Sequence, residues 1–197
     1  MAKTIQFWFE FASTYSYLSA MRIEAAAQAK GVSVEWHPFL LGPIFAAQGW
    51  QTSPFNLYPA KGRYMWRDME RLCAARGLPL VRPDPFPQNS LSAARLSLAI
   101  EGQNGRAAFV RAVYSAEFGM GRDISDQNVL MDCLETAGLP TDTLGRVQDP
   151  DIKAALFAQS NRAKDLDLFG TPSFLVEAEL YWGDDRLDEA LEHAASI

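Results

Sequence analysis

The chain has 197 residues, of which 48% are hydrophobic and 21% charged, enough for one domain with a substantial core. Its formal net charge of −6 disfavours binding to nucleic-acid phosphates, and no run of about 18 apolar residues predicts a membrane-spanning helix. The first residues enter an apolar segment without the pattern of a signal peptide. We therefore expect a cytoplasmic protein, with a mitochondrial location left open for a eukaryotic relative.

The N-terminal part predicts a βαβ unit. Residues 4–9 form an aromatic-rich strand, residues 14–30 a helix that ends at Gly31, and residues 33–38 a second strand. Two parallel strands need a crossover of this kind, usually a helix.

The central part predicts helices. After a turn-rich segment, apolar residues recur at helical spacing in segments that begin near residues 60, 90, 105, 125 and 149, with Ser125 as the cap of the fourth. Prolines alternate along residues 80–87, which predicts an extended loop.

Strands return near the C-terminus, at residues 173–177 and 180–182, as a hairpin followed by a last helix. The order βαβ, helical block, ββα predicts an α/β, thioredoxin-like fold with a large all-helical insertion. We assign residues 1–42 and 166–197 to the thioredoxin-like domain and residues 43–165 to the inserted helical domain.

The two cysteines, Cys73 and Cys133, form no C-x-x-C motif, and each falls among apolar residues of a predicted helix. We expect buried thiols in a reducing compartment, although a disulfide stays an alternative. With only two histidines in the chain, no metal-ligand spacing is present and we predict no metal site.

The segment FEFASTYSYL at residues 9–18 places Ser13 where the first strand ends and the helix begins. A serine there is either an ordinary N-cap or part of an anion-binding site, since free backbone N–H groups and the positive helix end lie beside it. The segment resembles the F-x-F-x-S-P-Y-S-Y-L motif of the 2-hydroxychromene-2-carboxylate isomerases and kappa-class glutathione transferases, within the DsbA-like thioredoxin superfamily. Thr14 stands where that family usually has proline. The resemblance implies that Ser13 is catalytic and that glutathione is the cofactor.

The segment FGTPSF at residues 169–174 resembles the G-[VTL]-P-[ST] turn of the same superfamily, in which the proline is cis. The resemblance implies that Thr171 and Pro172 hold the cysteinyl part of glutathione through backbone pairing. Taken alone, the segment is also typical of a plain turn before a strand.

The segment WGDDRL at residues 182–187 resembles the W-G-[ND]-D-R-L segment of the isomerases. The resemblance implies that the γ-glutamyl end of glutathione is bound by Trp182, Gly183, Asp184 and Asp185. We expect Asp185 to pair with the ligand's ammonium and Asp184 to help orient it. Without the family, the two acids are ordinary helix caps.

The segment PAKGRY at residues 59–64 is similar to the family's P-x-K-x-x-Y segment. The resemblance implies that Lys61 receives the glycyl carboxylate of glutathione, and a solvated surface lysine is the alternative. The expected substrate-binding residues are Phe45, Asn56, Tyr64 and Phe86. Trp8 is a further aromatic candidate for the pocket wall, although aromatic residues are common in cores and a core position is the strong alternative for Trp8.

The family implies an isomerase of 2-hydroxychromene-2-carboxylate, a small aromatic carboxylate, to trans-o-hydroxybenzylidenepyruvate, and a homodimer. Ser13 would lower the pKa of the glutathione thiol, and the thiolate would add reversibly to the conjugated substrate. A kappa-like transferase or peroxidase and a non-catalytic glutathione- or peptide-binding module remain alternatives. A thiol–disulfide oxidoreductase is disfavoured, because Ser13 and Ser16 stand where a C-x-x-C is needed.

Overall fold

The computed structural model describes residues 3–197 and contains a four-stranded mixed sheet in the order β2-β1-β3-β4. The strands are β1 (Thr4–Phe9), β2 (Ser33–Pro38), β3 (Ser173–Val176) and β4 (Glu179–Trp182). β1 runs parallel to β2 and antiparallel to β3, and β3 and β4 form the predicted hairpin. The sheet therefore joins the two ends of the chain, with β1 at its centre.

Alternation along β1 buries both faces of the sheet. On one face, the ring of Phe7 lies 5.0 Å from Trp36 of β2 and 5.4 Å from Phe174 of β3. On the other face, the buried Trp8 stacks on His37 at 4.6 Å. Trp8 therefore occupies the core position that was its strong alternative, because its ring lies within a second core cluster.

Helices cover both faces of the sheet and fill the segment between β2 and β3. They are α1 (Thr14–Ala20), α2 (Ile23–Ala29), α3 (Gly42–Ala47), α4 (Pro54–Leu57), α5 (Pro59–Arg76), α6 (Leu91–Ala99), α7 (Gln103–Tyr114), α8 (Gln127–Thr136), α9 (Pro150–Asp165) and α10 (Leu187–Ser196). Shorter turns of 3-10 helix occupy Thr141–Gln148 and Asp184–Arg186, and a π-helical turn, Ser115–Gly119, extends α7. The predicted thioredoxin-like architecture with inserted helices is confirmed. Its division at residues 42 and 165 stays a prediction.

Two local details differ from the prediction. The single helix expected over residues 14–30 is broken at Arg22, whose φ of −129° is not helical and whose side chain is bound to acids near α10. The cap of α8 is Asp126, which accepts the N–H of Asn128, whereas Ser125 donates its hydroxyl to Asp123.

Both cysteine side chains are buried, as predicted, and neither is in a disulfide. Burial raises the pKa of the Cys133 thiol to about 11, which makes it a weak nucleophile at neutral pH. Among residues 3–197, no helix combines the length and apolar character that crossing a membrane requires.

Candidate active site

Ser13 and the turn before β3 meet although they are far apart in the sequence. The Ser13 hydroxyl donates to the backbone oxygen of Thr171 at 3.2 Å and accepts the N–H of Ser16 at 3.3 Å. It is therefore both the N-cap of α1 and a contact to the turn at Thr171. The Thr171–Pro172 peptide bond is cis, as the resemblance implied.

The segment that begins at Trp182 lies against the same turn. The N–H of Gly183 donates to the backbone oxygen of Pro172 at 2.9 Å. The Trp182 indole covers Gly170 so closely that a Cβ there would lie 2.6 Å from its Nε1 atom. Three of the four sequence motifs are thus brought together around Thr171.

The two neighbouring acids have different surroundings. Asp184 is buried, and its carboxylate accepts hydrogen bonds from Ser19 at 2.9 Å and from both terminal nitrogens of Arg76 at 3.1 and 2.6 Å. The side chain of Asp185 is 76% exposed and lies 3.6 Å from Arg186. Asp184 therefore holds the segment in place, and Asp185 is the carboxylate that a ligand can reach.

Thr171 has polar atoms suited to an extended peptide. Among residues 3–197, its backbone N–H has no acceptor, and its buried Oγ1 atom has no hydrogen-bond partner. The backbone oxygen of the same residue faces the Ser13 hydroxyl. The N–H and the carbonyl of one residue can pair with a peptide as an added strand would, so these atoms could hold the cysteinyl part of glutathione.

The fourth motif, at the start of α5, is not joined to this group by a hydrogen bond or ion pair within the described chain. Lys61 is exposed and its ammonium lies 5.0 Å from the Tyr58 ring. One contact between α1 and this region runs through Tyr15, whose hydroxyl donates to Asp68 at 3.0 Å and whose ring lies 6.5 Å from Phe55. The role of Lys61 stays a prediction.

The expected substrate-binding residues are divided between two cavities. Phe45 and Trp50 line one of about 530 Å³. Asn56 and Phe86 line another of about 490 Å³. Tyr64 is 62% exposed and lines neither, with the Arg71 guanidinium over its ring.

A family model, the DSBA-like thioredoxin domain, matches residues 4–195. The chain belongs to this family. It is 34% identical over 190 residues to the 2-hydroxychromene-2-carboxylate isomerase of Sphingobium xenophagum, covering 95% of this chain and 96% of that protein. This match confirms the predicted family and the prediction of an enzyme of isomerase type.

Two further comparisons agree with this membership. The Caenorhabditis elegans glutathione S-transferase kappa 1 is 25% identical, with 92% of this chain and 86% of that protein covered. A solved 2-hydroxychromene-2-carboxylate isomerase superposes with a TM-score of 0.88 at 25% identity, over 98% of this chain and 94% of that one.

Sequence reasoning missed Glu10, a buried acid that braces the loop before Ser13. Its carboxylate accepts hydrogen bonds from the Ser90 hydroxyl, from the N–H of Leu41 at 3.1 Å and from the N–H of Ala12 at 3.5 Å. Its backbone oxygen accepts the Ser13 N–H at 3.0 Å. Burial raises the pKa of Glu10, against these hydrogen bonds, which lower it. The signal available in the sequence was a single acid between two phenylalanines, Phe9 and Phe11.

Glu117, in the π-helical turn after α7, was also missed. Its side chain is fully buried, and neither carboxyl oxygen has a hydrogen-bond partner among the described residues. Burial, and then the nearby charges of Glu10 and Asp123, raise its pKa well above the ordinary value. The signal was its position four residues after Val113, on the buried face of the helix.

Proposed function

We propose that this chain is a glutathione-dependent isomerase that interconverts 2-hydroxychromene-2-carboxylate and trans-o-hydroxybenzylidenepyruvate, or a related aromatic catabolite. The main support is the contact of the Ser13 hydroxyl with Thr171, at the turn that contains Pro172. The name of the relative at 34% identity supports this reaction, and the name of the relative at 25% identity supports the use of glutathione.

Glutathione would bind along the turn at Thr171. The Thr171 N–H and backbone oxygen pair with the cysteinyl residue, beside Pro172. Asp185 receives the γ-glutamyl ammonium next to Trp182 and Gly183, while Asp184 keeps that segment in position. Lys61 receives the glycyl carboxylate.

Ser13 acts on the bound thiol. When bound, glutathione supplies a thiolate that adds reversibly to the conjugated substrate, with no net oxidation or reduction. A peptide N–H that pairs with the Thr171 oxygen replaces Ser13 as its donor, and the Ser13 hydroxyl then turns to the sulfur. A hydrogen bond to the charged form lowers the thiol pKa. The dipole of α1 adds little, since this helix has only seven residues.

The substrate, a small aromatic carboxylate, would lie in the cavity lined by Asn56 and Phe86. The expected substrate contacts of Tyr64 and Phe45 stay predictions. A kappa-like transferase or peroxidase acting on another electrophile is the second candidate, favoured by the relative from Caenorhabditis elegans. Assembly as a homodimer stays a prediction from the family.

The test is an ultraviolet difference titration of bound glutathione, in which thiolate absorbance is followed against pH. We expect a thiol pKa lower than that of free glutathione by about one unit or more, as a charge-assisted hydrogen bond gives. Ser13→Ala should remove this shift and lower turnover of 2-hydroxychromene-2-carboxylate by about a hundredfold, the usual loss for one essential hydrogen-bond donor. Ser16→Ala, the matched control on the same helix, should keep both.

The alternatives give different results in the same experiment. A shifted thiol without turnover of this substrate favours the transferase or peroxidase. An unshifted thiol, or full activity of Ser13→Ala, overturns the proposed mechanism and favours a binding module.

A further inference from the structure

The cavity at the start of α5 has more arginine side chains in its lining than the binding of an uncharged aromatic ring requires. Its lining includes three arginines and a single acid, with aromatic rings between them: Arg63, Arg67, Arg82, Glu70, Trp66 and Phe86. We call these six residues the arginine groove. They are unusual in a chain whose net charge is −6.

Two of the arginines are uncompensated. Arg67 is paired with Glu70 at 2.6 Å. Within residues 3–197, Arg63 and Arg82 form neither a hydrogen bond nor an ion pair with an acid. The guanidinium of Arg82 instead lies 5.0 Å from the Trp66 ring. Two free guanidinium groups facing one cavity favour an anion, and their planar N–H donors match a carboxylate.

The walls of the arginine groove suit a flat ring. The rings of Trp66 and Phe86 meet edge to face at 4.9 Å, and both are only half-buried. Aromatic side chains that keep part of their surface exposed can pack against a planar aromatic ligand while the guanidinium groups hold its charge.

One contact links the cavity of the arginine groove to the first turn of α1, next to Ser13. Phe55, a further residue of the cavity lining, packs against Tyr15, which is two residues from Ser13. The cavity lined by the arginines is thus connected, through Phe55 and Tyr15, to the start of α1, where Ser13 is the N-cap.

We propose that Arg63 and Arg82 bind the carboxylate of the aromatic substrate and select planar anions over neutral ring compounds. This inference rests on the proposed function for the identity of the substrate. It assigns recognition of the substrate's charge to two arginines, one on α5 and one on the loop before α6, and leaves Lys61 to the glycyl carboxylate of glutathione.

The test is a calorimetric titration of the glutathione-free protein with chromone-2-carboxylate, a stable planar analogue, and with its neutral carboxamide. The double variant Arg63→Gln and Arg82→Gln should bind the carboxylate about tenfold more weakly, as expected for lost hydrogen bonds to a charged group. Its affinity for the carboxamide should stay the same. Arg71→Gln is the matched control, since this arginine of α5 is paired with Asp68 and does not line the cavity, and the variant should bind both compounds as the wild type does.

Glutathione also carries carboxylates, so a second arm measures its affinity for the double variant. An unchanged glutathione affinity with a weakened analogue affinity supports the proposal. Loss of glutathione affinity with unchanged analogue binding overturns it and makes the arginines part of the cofactor site. Equal binding of the analogue by wild type and double variant also overturns it. None of these titrations measures turnover, so a failure of the proposed isomerase activity would be seen separately.

Discussion

A single glycine determines where the carboxylate of Asp185 lies. Gly183 has a φ of 109°, a conformation that residues with a side chain rarely adopt. A Cβ at Gly183 would lie 2.5 Å from Asp185 Oδ1, so the carboxylate folds back over this residue. Because Gly183 is hydrogen-bonded to Pro172, the exposed charge of Asp185 stays close to the turn at Thr171.

We predict that Asp185→Asn weakens glutathione binding by about tenfold, because the ammonium of the ligand loses a charged partner. Turnover at saturating glutathione should change little, since Asp185 is remote from the reacting sulfur in the proposed complex. Equilibrium binding and steady-state kinetics measure the two effects. Glu189→Gln, a nearby exposed acid paired with Arg186, is the control. Wild-type affinity in Asp185→Asn would remove this residue from the proposed site.

At the scale of elements, Asp184 joins α1, the turn before α2 and the end of α5 to the C-terminal segment. Its carboxylate contacts Ser19 on α1, Arg22 between α1 and α2, and Arg76 at the end of α5. Hydrogen bonding to Asp184 raises the pKa of Arg76, so that arginine is fully charged. The acid is buried, whereas the side chains of Arg22 and Arg76 are about a quarter exposed.

We predict that Asp184→Asn lowers the free energy of unfolding by about 3 kcal/mol, the low end of the range for breaking a buried ion pair. The arginines keep part of their hydration, which is why we expect the low end. Chemical denaturation measures the change. Asp188→Asn removes an exposed partner of Arg22 and should change stability by less than about 1 kcal/mol. Equal effects of the two variants would show that Asp184 is not the structural anchor.

The same scale shows what the sequence could predict. Alternating and helical apolar patterns are local, so they located the four strands and most helices. The break at Arg22 depends on Asp184, more than a hundred residues away, and no local pattern contains that contact. Likewise, the motifs predicted Ser13 and Thr171 as residues of the site. The separation of Phe45 and Phe86 into two cavities depends on how helices pack, which no motif contains.

For the whole molecule, buried acids determine part of the dependence of stability on pH. Glu117 has no hydrogen-bond partner in the described chain and lies near Glu10 and Asp123. Its pKa in the folded protein is raised above the ordinary value, so the folded state holds a proton that the unfolded state releases. The part of the free energy of unfolding that depends on protonation of Glu117 is therefore fully present below about pH 4.5, and it is lost as the pH rises towards the folded-state pKa.

We predict that Glu117→Met, which has a similar volume, stabilises the protein by about 1–3 kcal/mol at pH 4, the usual cost of a buried polar group without a partner. The gain should be larger at pH 8, where unfolding of the wild type is also favoured by release of the Glu117 proton. Glu117→Gln removes only the titration, so it should match the wild type at pH 4 and exceed its stability at pH 8. Urea denaturation of the three proteins at both pH values measures these differences. A gain that does not change with pH would show that Glu117 has the same protonation in the folded and unfolded states. A destabilised Glu117→Met variant would show that the carboxyl is hydrogen-bonded in the folded protein.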